Sequence, residues 1–595
     1  MMCGIIACRT GAPAVDYLLT ALRRLEYRGY DSVGIAVRTT SGDVARLRSI
    51  ERIGALERQV RDWAGPDFAG VGIGHTRWAT HGSVTETNAH PHNDCTGRIS
   101  LAHNGTVENA LQLRTSLAGA GHTFASSVDS EVLAHLIEDQ LELCGDLLRA
   151  SQTALAAVEG SWGLAVLEQS TGRVVVAAQH SPLLIARTEQ GDFAASDIAA
   201  IAEWADEFRV LEDGEVIELS SPDLPNHDGG HEVTTMPPYS WRGIDTELNG
   251  HCDYMAKEID EQPAAAARVL DEFGDGVANG TLWANLGLAP FDRVQVVGCG
   301  TSLNAGRVIG NVVQSIGGLP VRHCVASEAA TDIPEPRTLC LAISQSGETA
   351  DVLHALAFRM AQKSAVLALT NNAHSSVARR ADALIPCVAG PEISVAATKT
   401  FVCQIIAGVA VMISALVATC RISAAEAARL ADELRRIPDQ LAAAGAVAKT
   451  VIPPLVEELT EASGFIFIAR GSGLPYAAEG ALKLKELSYR WAEDYPAGEL
   501  KHGPLALVGT ETPVVVIDNT DPKLGTNIAE VEARGGRIIR IGPPGSTVPV
   551  IGCPLAPWGP IESTVPLQIL ARTLALALGH DVDKPRNLAK SVTVE

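Results

Sequence analysis

The residues best placed to do chemistry stand at the start of the chain, where Cys3 and Gly4 lead into a short apolar run. A cysteine at a true N-terminus carries its own general base, an α-amino group with a pKa of about 7.7–8.0, so its thiol needs no separate histidine. Splitting an amide also requires an oxyanion hole and a clamp for the charged end of the substrate. Both have candidates. Asn104 and Gly105 in LAHNGTVEN offer a side-chain amide and a backbone N–H to a tetrahedral oxygen. Arg77 in HTRWATHG and Asp129 in SSVDSEV suit the carboxylate and ammonium of an amino-acid amide such as glutamine. Met1 and Met2 both precede Cys3, so the chemistry expects translation from Met2 or removal of both methionines.

A second set of residues suits a phosphate. GCGTSLNAG (298–306) and SQSGETAD (344–351) each follow an apolar strand and open a helix. Backbone N–H groups at a helix N-terminus, the local dipole and Ser or Thr hydroxyls hold a dianion without a lysine. The corresponding turn later in the chain, DNTDPKLG (518–525), carries two aspartates that would repel phosphate, so one phosphate site per chain is expected. Glu479, Lys483 and Glu486 share one helix face and either order a site or form a surface ion pair. His90 and His92 stand close together without a Cys or carboxylate at ligand spacing, so no metal site and no cofactor are expected.

At 595 residues the chain is too long for one core and predicts about three or four domains. Residues 3–220 read as a sheet-rich α+β domain, with β-branched runs at 32–37, 174–178 and 209–219 separated by two helical stretches. Residues 221–250, rich in Pro, Asp, His and Gly, read as a linker. Beyond it, apolar strands alternate with helical segments in two copies, 251–435 and 436–582. Strands are expected at 294–297, 339–343 and 365–369, then at 465–468, 513–517 and 537–541. This is the pattern of two doubly wound parallel sheets, with sites at strand C-terminal ends. Residues 583–595 have no amphipathic period.

The run 401–420 has the length of a bilayer span, but Gln404, Ser414 and Thr419 interrupt it, and a buried helix is expected. A net charge of −23 disfavours nucleic acid and anionic membranes as partners. The 12 cysteines form no CxxC pair and no signal peptide precedes Cys3, which points to a reducing cytoplasm.

CGII, LRRLEYRGYDSVG, HTRWATHG, NAHPH, HNGTVEN and DSEVLAHL resemble, in order and approximate spacing, class II glutamine amidotransferase domains. The two later loops resemble sugar isomerase (SIS) domains. MAKEIDEQP, EGALKLKELSYRWAEDYPAGELKHGP and the terminal DVDKPRNLAKSVTVE extend the resemblance over essentially the whole chain, to the glucosamine-6-phosphate synthase family. That resemblance implies a multidomain α/β protein, with an N-terminal Ntn-type αββα glutaminase sandwich followed by two doubly wound SIS domains. It implies ammonia transfer from glutamine to fructose 6-phosphate.

By resemblance, Cys3 is the nucleophile and Asn104 and Gly105 form the oxyanion hole. Arg77, Trp78, Thr80, His81 and Asp129 bind glutamine, with Trp78 also gating an ammonia channel that the tail covers. Thr301, Ser302, Ser344, Gln345, Ser346, Thr349 and Val395 hold the sugar phosphate. Glu486 moves the proton between C1 and C2, His502 opens the ring in the neighbouring subunit of a homodimer, and Lys590 holds the open ketose as a Schiff base. Ala7, Ala397, Arg490 and Trp491 depart from the family's usual residues. The last three leave the ketose open, as in a paralogue aminating another sugar. Two further readings are a hexosamine-phosphate deaminase or isomerase and a sugar-phosphate sensor, either with an idle glutaminase.

Overall fold

The structure is a computed structural model; it describes residues 3–26, 29–78, 82–219, 234–235, 248–331, 333, 335–361, 364–552 and 556–590. The chain divides into two compact units, residues 1–245 and 246–593.

The first unit begins with β1 (Gly4–Thr10), β2 (Ser32–Thr39), β3 (Val44–Ser49), β4 (Phe68–Arg77), β5 (His92–Asn93) and β6 (Ile99–Val107). It continues with β7 (Gly160–Glu168), β8 (Val174–Gln179), β9 (Leu184–Thr188), β10 (Gly191–Ala195), β11 (Glu207–Val210), β12 (Val216–Glu218) and β13 (Thr234–Thr235). One sheet runs β13-β11-β9-β10-β1-β4-β2-β3 and the other β12-β8-β7-β6-β5. Their apolar faces meet in a core that includes Ile5, Ala7, Ile73, Ala102, Ala165 and Val176.

The outer faces are covered by helices. Ala14–Leu25 presents Val15, Leu18, Ala21, Leu22 and Leu25, one stripe at helical spacing, to the first sheet. Glu131–Cys144 and Leu147–Leu155 cover the second. The result is the expected four-layer αββα sandwich. Ala7 is fully buried within intact ladders to Ala194 and Ile73, so its methyl is accommodated.

Two local expectations need correction. The run 209–219 is two strands rather than one, β11 pairing with β9 in the first sheet and β12 with β8 in the second. Among the described residues the unit has five α-helices, not two; Ile53–Arg61 is short and buries only Ile53 and Leu56, and Ala110–Ala120 buries only Leu117. Most of the expected linker lies outside the described residues; within it, Thr234–Thr235 pairs with Glu207 and Phe208.

The second unit holds β14 (Arg293–Gly298), β15 (Val321–Val325), β16 (Thr338–Ser344), β17 (Ala365–Thr370) and β18 (Ala383–Pro386) in one parallel sheet. A second parallel sheet comprises β19 (Gly464–Ala469), β20 (Trp491–Pro496), β21 (Pro513–Ile517), β22 (Arg537–Gly542) and β23 (Val548–Pro549). Their orders, β15-β14-β16-β17-β18 and β20-β19-β21-β22-β23, are the same. In each, the direction of winding reverses between the first and third strands, the topological switch point where doubly wound sheets place ligands.

One core spans both sheets. The apolar run forms the helix Lys399–Ala418, which is long and apolar enough to cross a membrane by composition but is buried inside the unit. It packs against Gly300–Gly317, and its apolar residues lie all round because protein surrounds it.

Candidate functional site

Two groups of side chains stand out, one in each unit. In the first, Cys3 lies just ahead of β1, and pairing of Gly4 with Thr76 brings it to the end of β4. The Trp78 amide donates to the Cys3 sulfur at 3.2 Å. Burial pushes the Cys3 thiol up, against the opposing pull of that amide and of the Arg77 charge. Arg77 is itself buried, and burial holds it below the usual guanidinium range despite the negative fields of Cys3, Asp31 and Asp129. Cys3, Arg77 and Asp129 are thus electrostatic neighbours. Asp129 is oriented by the Val107 amide, which donates to its Oδ2 at 2.8 Å.

Asn104 sits in β6 with its amide nitrogen donating to the Cys3 carbonyl at 2.9 Å. His75 Nε2 lies 3.0 Å from Asn104 Oδ1 and 3.1 Å from the His103 carbonyl. Both partners are acceptors, so Nε2 carries the proton, and burial depresses the His75 pKa to about 3. His75 is therefore a neutral donor that turns the Asn104 NH2 toward Cys3. Sequence reasoning assigned it no role; its signal was its place two residues before Arg77, on the same face of one strand. Gly105 adopts φ 153°, and a Cβ there would lie 1.8 Å from the Ser161 carbonyl, so no larger residue fits beside Asn104.

Trp78 is half-buried and meets Tyr30 edge-on at 5.3 Å. Thr80 and His81 lie outside the described residues, as do Met1 and Met2. His90 and His92 are packed rings: His90 stacks on His75 with centroids 4.1 Å apart and meets His92 edge-on.

In the second unit, the loops expected to hold phosphate leave the ends of β14 and β16, adjacent strands that flank the switch point. The Ser344 hydroxyl lies 2.9 Å from that of Thr349 and accepts from the Gly347 amide at 3.0 Å. Gly347 has φ 67°, and a Cβ would fall 1.9 Å from the Ser375 hydroxyl, so the loop can turn this tightly only with glycine. Ser346 accepts the Glu348 amide at 3.1 Å, and the Gln345 carbonyl accepts from Asn371 and Thr370. The loop then opens the helix Ala350–Ala361.

On the first loop, Thr301 donates to Glu479 at 2.9 Å, and Ser302 accepts from Gln404 at 3.0 Å, leaving the Ser302 O–H to donate elsewhere. Glu479, Lys483 and Glu486 are not a surface pair. Glu479 and Lys483 are 2% and 1% exposed, and Lys483 Nζ donates to Glu486. Burial works against the Lys483 charge, but Glu486 and Glu479 outweigh it and raise its pKa. Glu479 also accepts from Asn304, tying the helix Leu474–Ser488 to the helix after the first phosphate loop.

The C-terminal tail is anchored. The Asp583 carboxylate accepts from the Tyr254 and Met255 amides, its carbonyl accepts from the Val395 amide at 2.9 Å, and the Tyr489 hydroxyl accepts from the Arg586 amide. Lys590 is consequently held inside, 4% exposed, donating to Glu392 and to the Ser394 carbonyl at 2.8 Å. Burial opposes the Glu392 charge, yet Lys590 and the Thr400 and Thr398 amides hold its carboxyl below the usual range. Glu258, from MAKEIDEQP, accepts from the Ile393 and Ser394 amides and the Ser394 hydroxyl; burial and the Glu392 charge push it up to about 7. Neither Glu392 nor Glu258 was assigned by sequence reasoning, although Glu258 lies inside the MAKEIDEQP motif.

Lys483 feels the Glu392 charge, so the trio and the tail lysine form one electrostatic group. His502, at the end of the 3-10 turn Ala497–His502, is exposed and outside that group. Arg490 donates to the Thr460 carbonyl and Trp491 is 79% exposed, while Ala397 is half-buried in the loop that Glu258 and Glu392 brace. At the second switch point, Asp518 pairs with Arg540 and Asp521 lies 3.4 Å from Arg470, so the aspartates are neutralised internally.

Residues 75–203 match the glutamine amidotransferase domain family, and 287–414 and 458–544 match the SIS domain family. The chain is 40% identical to a glutamine–fructose-6-phosphate aminotransferase (isomerizing) of Thermus thermophilus, covering all of both chains. It is 40% identical to the protein so named in Pseudomonas aeruginosa and 38% to that of Streptomyces coelicolor, again over full length. Among solved structures, the C-terminal domain of the glucosamine-fructose-6-phosphate aminotransferase of Francisella tularensis aligns with a TM-score of 0.52 at 32% identity, over 57% of this chain and 99% of that one.

Proposed function

Because the chain belongs to the glutamine–fructose-6-phosphate aminotransferase (isomerizing) family, we propose that it moves the amide nitrogen of glutamine to fructose 6-phosphate, releasing glutamate and glucosamine 6-phosphate. The observation that carries the reading is Lys590, buried with Glu392 beside the Lys483 trio. A phosphosugar sensor needs only the loops at β14 and β16.

In the first unit, the Cys3 thiolate attacks the glutamine amide carbon, with the α-amino group of a mature N-terminal Cys3 taking the thiol proton. Asn104 and the Gly105 N–H receive the oxyanion, and Arg77 and Asp129 hold the substrate's carboxylate and ammonium. Thr80 and His81 complete the glutamine pocket and Trp78 gates the ammonia path. Ammonia leaves as the acyl thioester forms, and water then releases glutamate.

In the second unit, Ser302, Ser344, Gln345, Ser346 and Thr349 hold the phosphate, with Thr301 and Val395 lining the sugar. The Lys590 amine condenses with the ketose C2 carbonyl as a Schiff base with loss of water, and ammonia then replaces it by transimination, which frees the lysine. Glu486 takes the proton from C1 and returns it at C2, positioned by the hydrogen bond from Lys483. Exposed His502 suits a role in a partner subunit, which supports a homodimer; the free described cysteines suit a reducing cytoplasm.

Purified Cys3→Ala and Lys590→Ala proteins separate the halves. Cys3→Ala should release no glutamate yet make amino sugar from added ammonium, and Lys590→Ala should make no amino sugar from either nitrogen source. Amino sugar formation by Lys590→Ala at the native rate would refute the assignment.

A further inference from the structure

In the first unit, away from Cys3, four electron-pair donors converge. They are Cys95 Sγ in the turn after β5, His122 Nδ1 after the helix Ala110–Ala120, and His135 Nδ1 and Glu138 Oε2 on the helix Glu131–Cys144. Cys95 Sγ lies 3.4 Å from each imidazole Nδ1, the two Nδ1 atoms are 3.3 Å apart, and Glu138 Oε2 is 3.3 Å from one and 3.4 Å from the other. Zinc bonded to sulfur at about 2.3 Å and to nitrogen or oxygen at about 2.0–2.2 Å makes a tetrahedron with edges of about 3.3–3.6 Å. Two imidazole nitrogens facing each other at 3.3 Å make a poor hydrogen bond, whereas that separation is an edge of this tetrahedron.

The surroundings fit as well. His122 Nε2 lies 2.8 Å from Asp139 Oδ1, the carboxylate–histidine pairing that fixes the other ring nitrogen as a ligand. The Thr123 amide points at Cys95 Sγ at 3.4 Å, and the Cys95 amide donates to Glu138. One thiolate, one carboxylate and two neutral imidazoles balance a dication, and a mixed S/N/O set in tetrahedral array selects zinc over magnesium or calcium.

We propose that Cys95, His122, His135 and Glu138 form a structural zinc site. All four positions are filled by protein, so the ion has no open place for water or substrate. Binding displaces the Cys95 thiol proton to solvent and closes three segments on one another. One of them, 122–131, carries Asp129, so the ion braces the glutamine clamp from behind.

The test uses the full chain, prepared with zinc and dialysed into metal-free buffer. Elemental analysis should find one zinc per chain, and cobalt(II) in its place should give the strong visible bands of a tetrahedral site with a thiolate charge-transfer band. Cys95→Ser should remove that band, and Asp139→Asn should weaken zinc about 10–100-fold in competition with a chromophoric chelator. Chelation should raise hydrogen exchange in 122–131. Native protein that holds no more zinc than a Cys95→Ser/His122→Ala variant, or an octahedral cobalt spectrum, would overturn the proposal.

Discussion

The two parallel sheets of the second unit share strand order, yet their switch points are lined by different chemistry. Around β14 and β16, loop hydroxyls and amides converge, and the Glu479 carboxylate accepts from Thr301 and Asn304. Around β19 and β21, the same position is closed by Asp518 with Arg540, and by Asn519 donating to the Arg470 carbonyl and to Ser472. The second sheet contributes its helix instead: Leu474–Ser488 carries Glu479, Lys483 and Glu486 toward the first sheet's loops. In the proposed function one copy of the fold binds and the other supplies acid–base groups, so that topology offers a site and side chains decide its use.

The sharpest way to break this division is Lys590→Ala, which should abolish amino sugar formation while glutamate release persists. Next, Glu392→Gln removes the partner of a buried lysine and should cost about 3–5 kcal/mol of stability in the second unit, read by thermal or denaturant unfolding. Ser346→Ala should raise the KM for the phosphosugar on the order of 10–100-fold, the worth of about 1.5–3 kcal/mol for a hydrogen bond to a charged group. Asn519→Ala at the other switch point should leave that KM unchanged; equal effects at both would dissolve the contrast.

The smallest effect is in pH. Glu258 is raised to about 7, above its unfolded value near 4.5, so its favourable contribution is complete below about pH 4.5 and is lost as pH rises through about 7. Stability should decline by at most about 1.4 kcal/mol per pH unit across that window, and Glu258→Gln should flatten the decline. An unchanged slope in that variant would assign the titration elsewhere.

The strands of both parallel sheets were legible because buried parallel strands read as continuous apolar runs: 339–343 became Thr338–Ser344 and 513–517 became Pro513–Ile517. Candidate positions such as Cys3, Asn104 and Ser344 could be named because their motifs are local in sequence. The split of 209–219 between sheets was not, since period-2 alternation does not say which sheet a strand joins. Nor was the burial of the Lys590 side chain, which looks like a solvated end until Glu392, far away in sequence, is placed against it. Cys95, His122, His135 and Glu138 were invisible for the same reason, having no ligand spacing until the fold assembles them.

The most direct test of the account is the fate of the nitrogen. Native protein given amide-labelled glutamine, fructose 6-phosphate and excess unlabelled ammonium should yield glucosamine 6-phosphate carrying the label, read by mass spectrometry. Glutamate release with no amino sugar, or an amino sugar carrying only the unlabelled nitrogen, would contradict it.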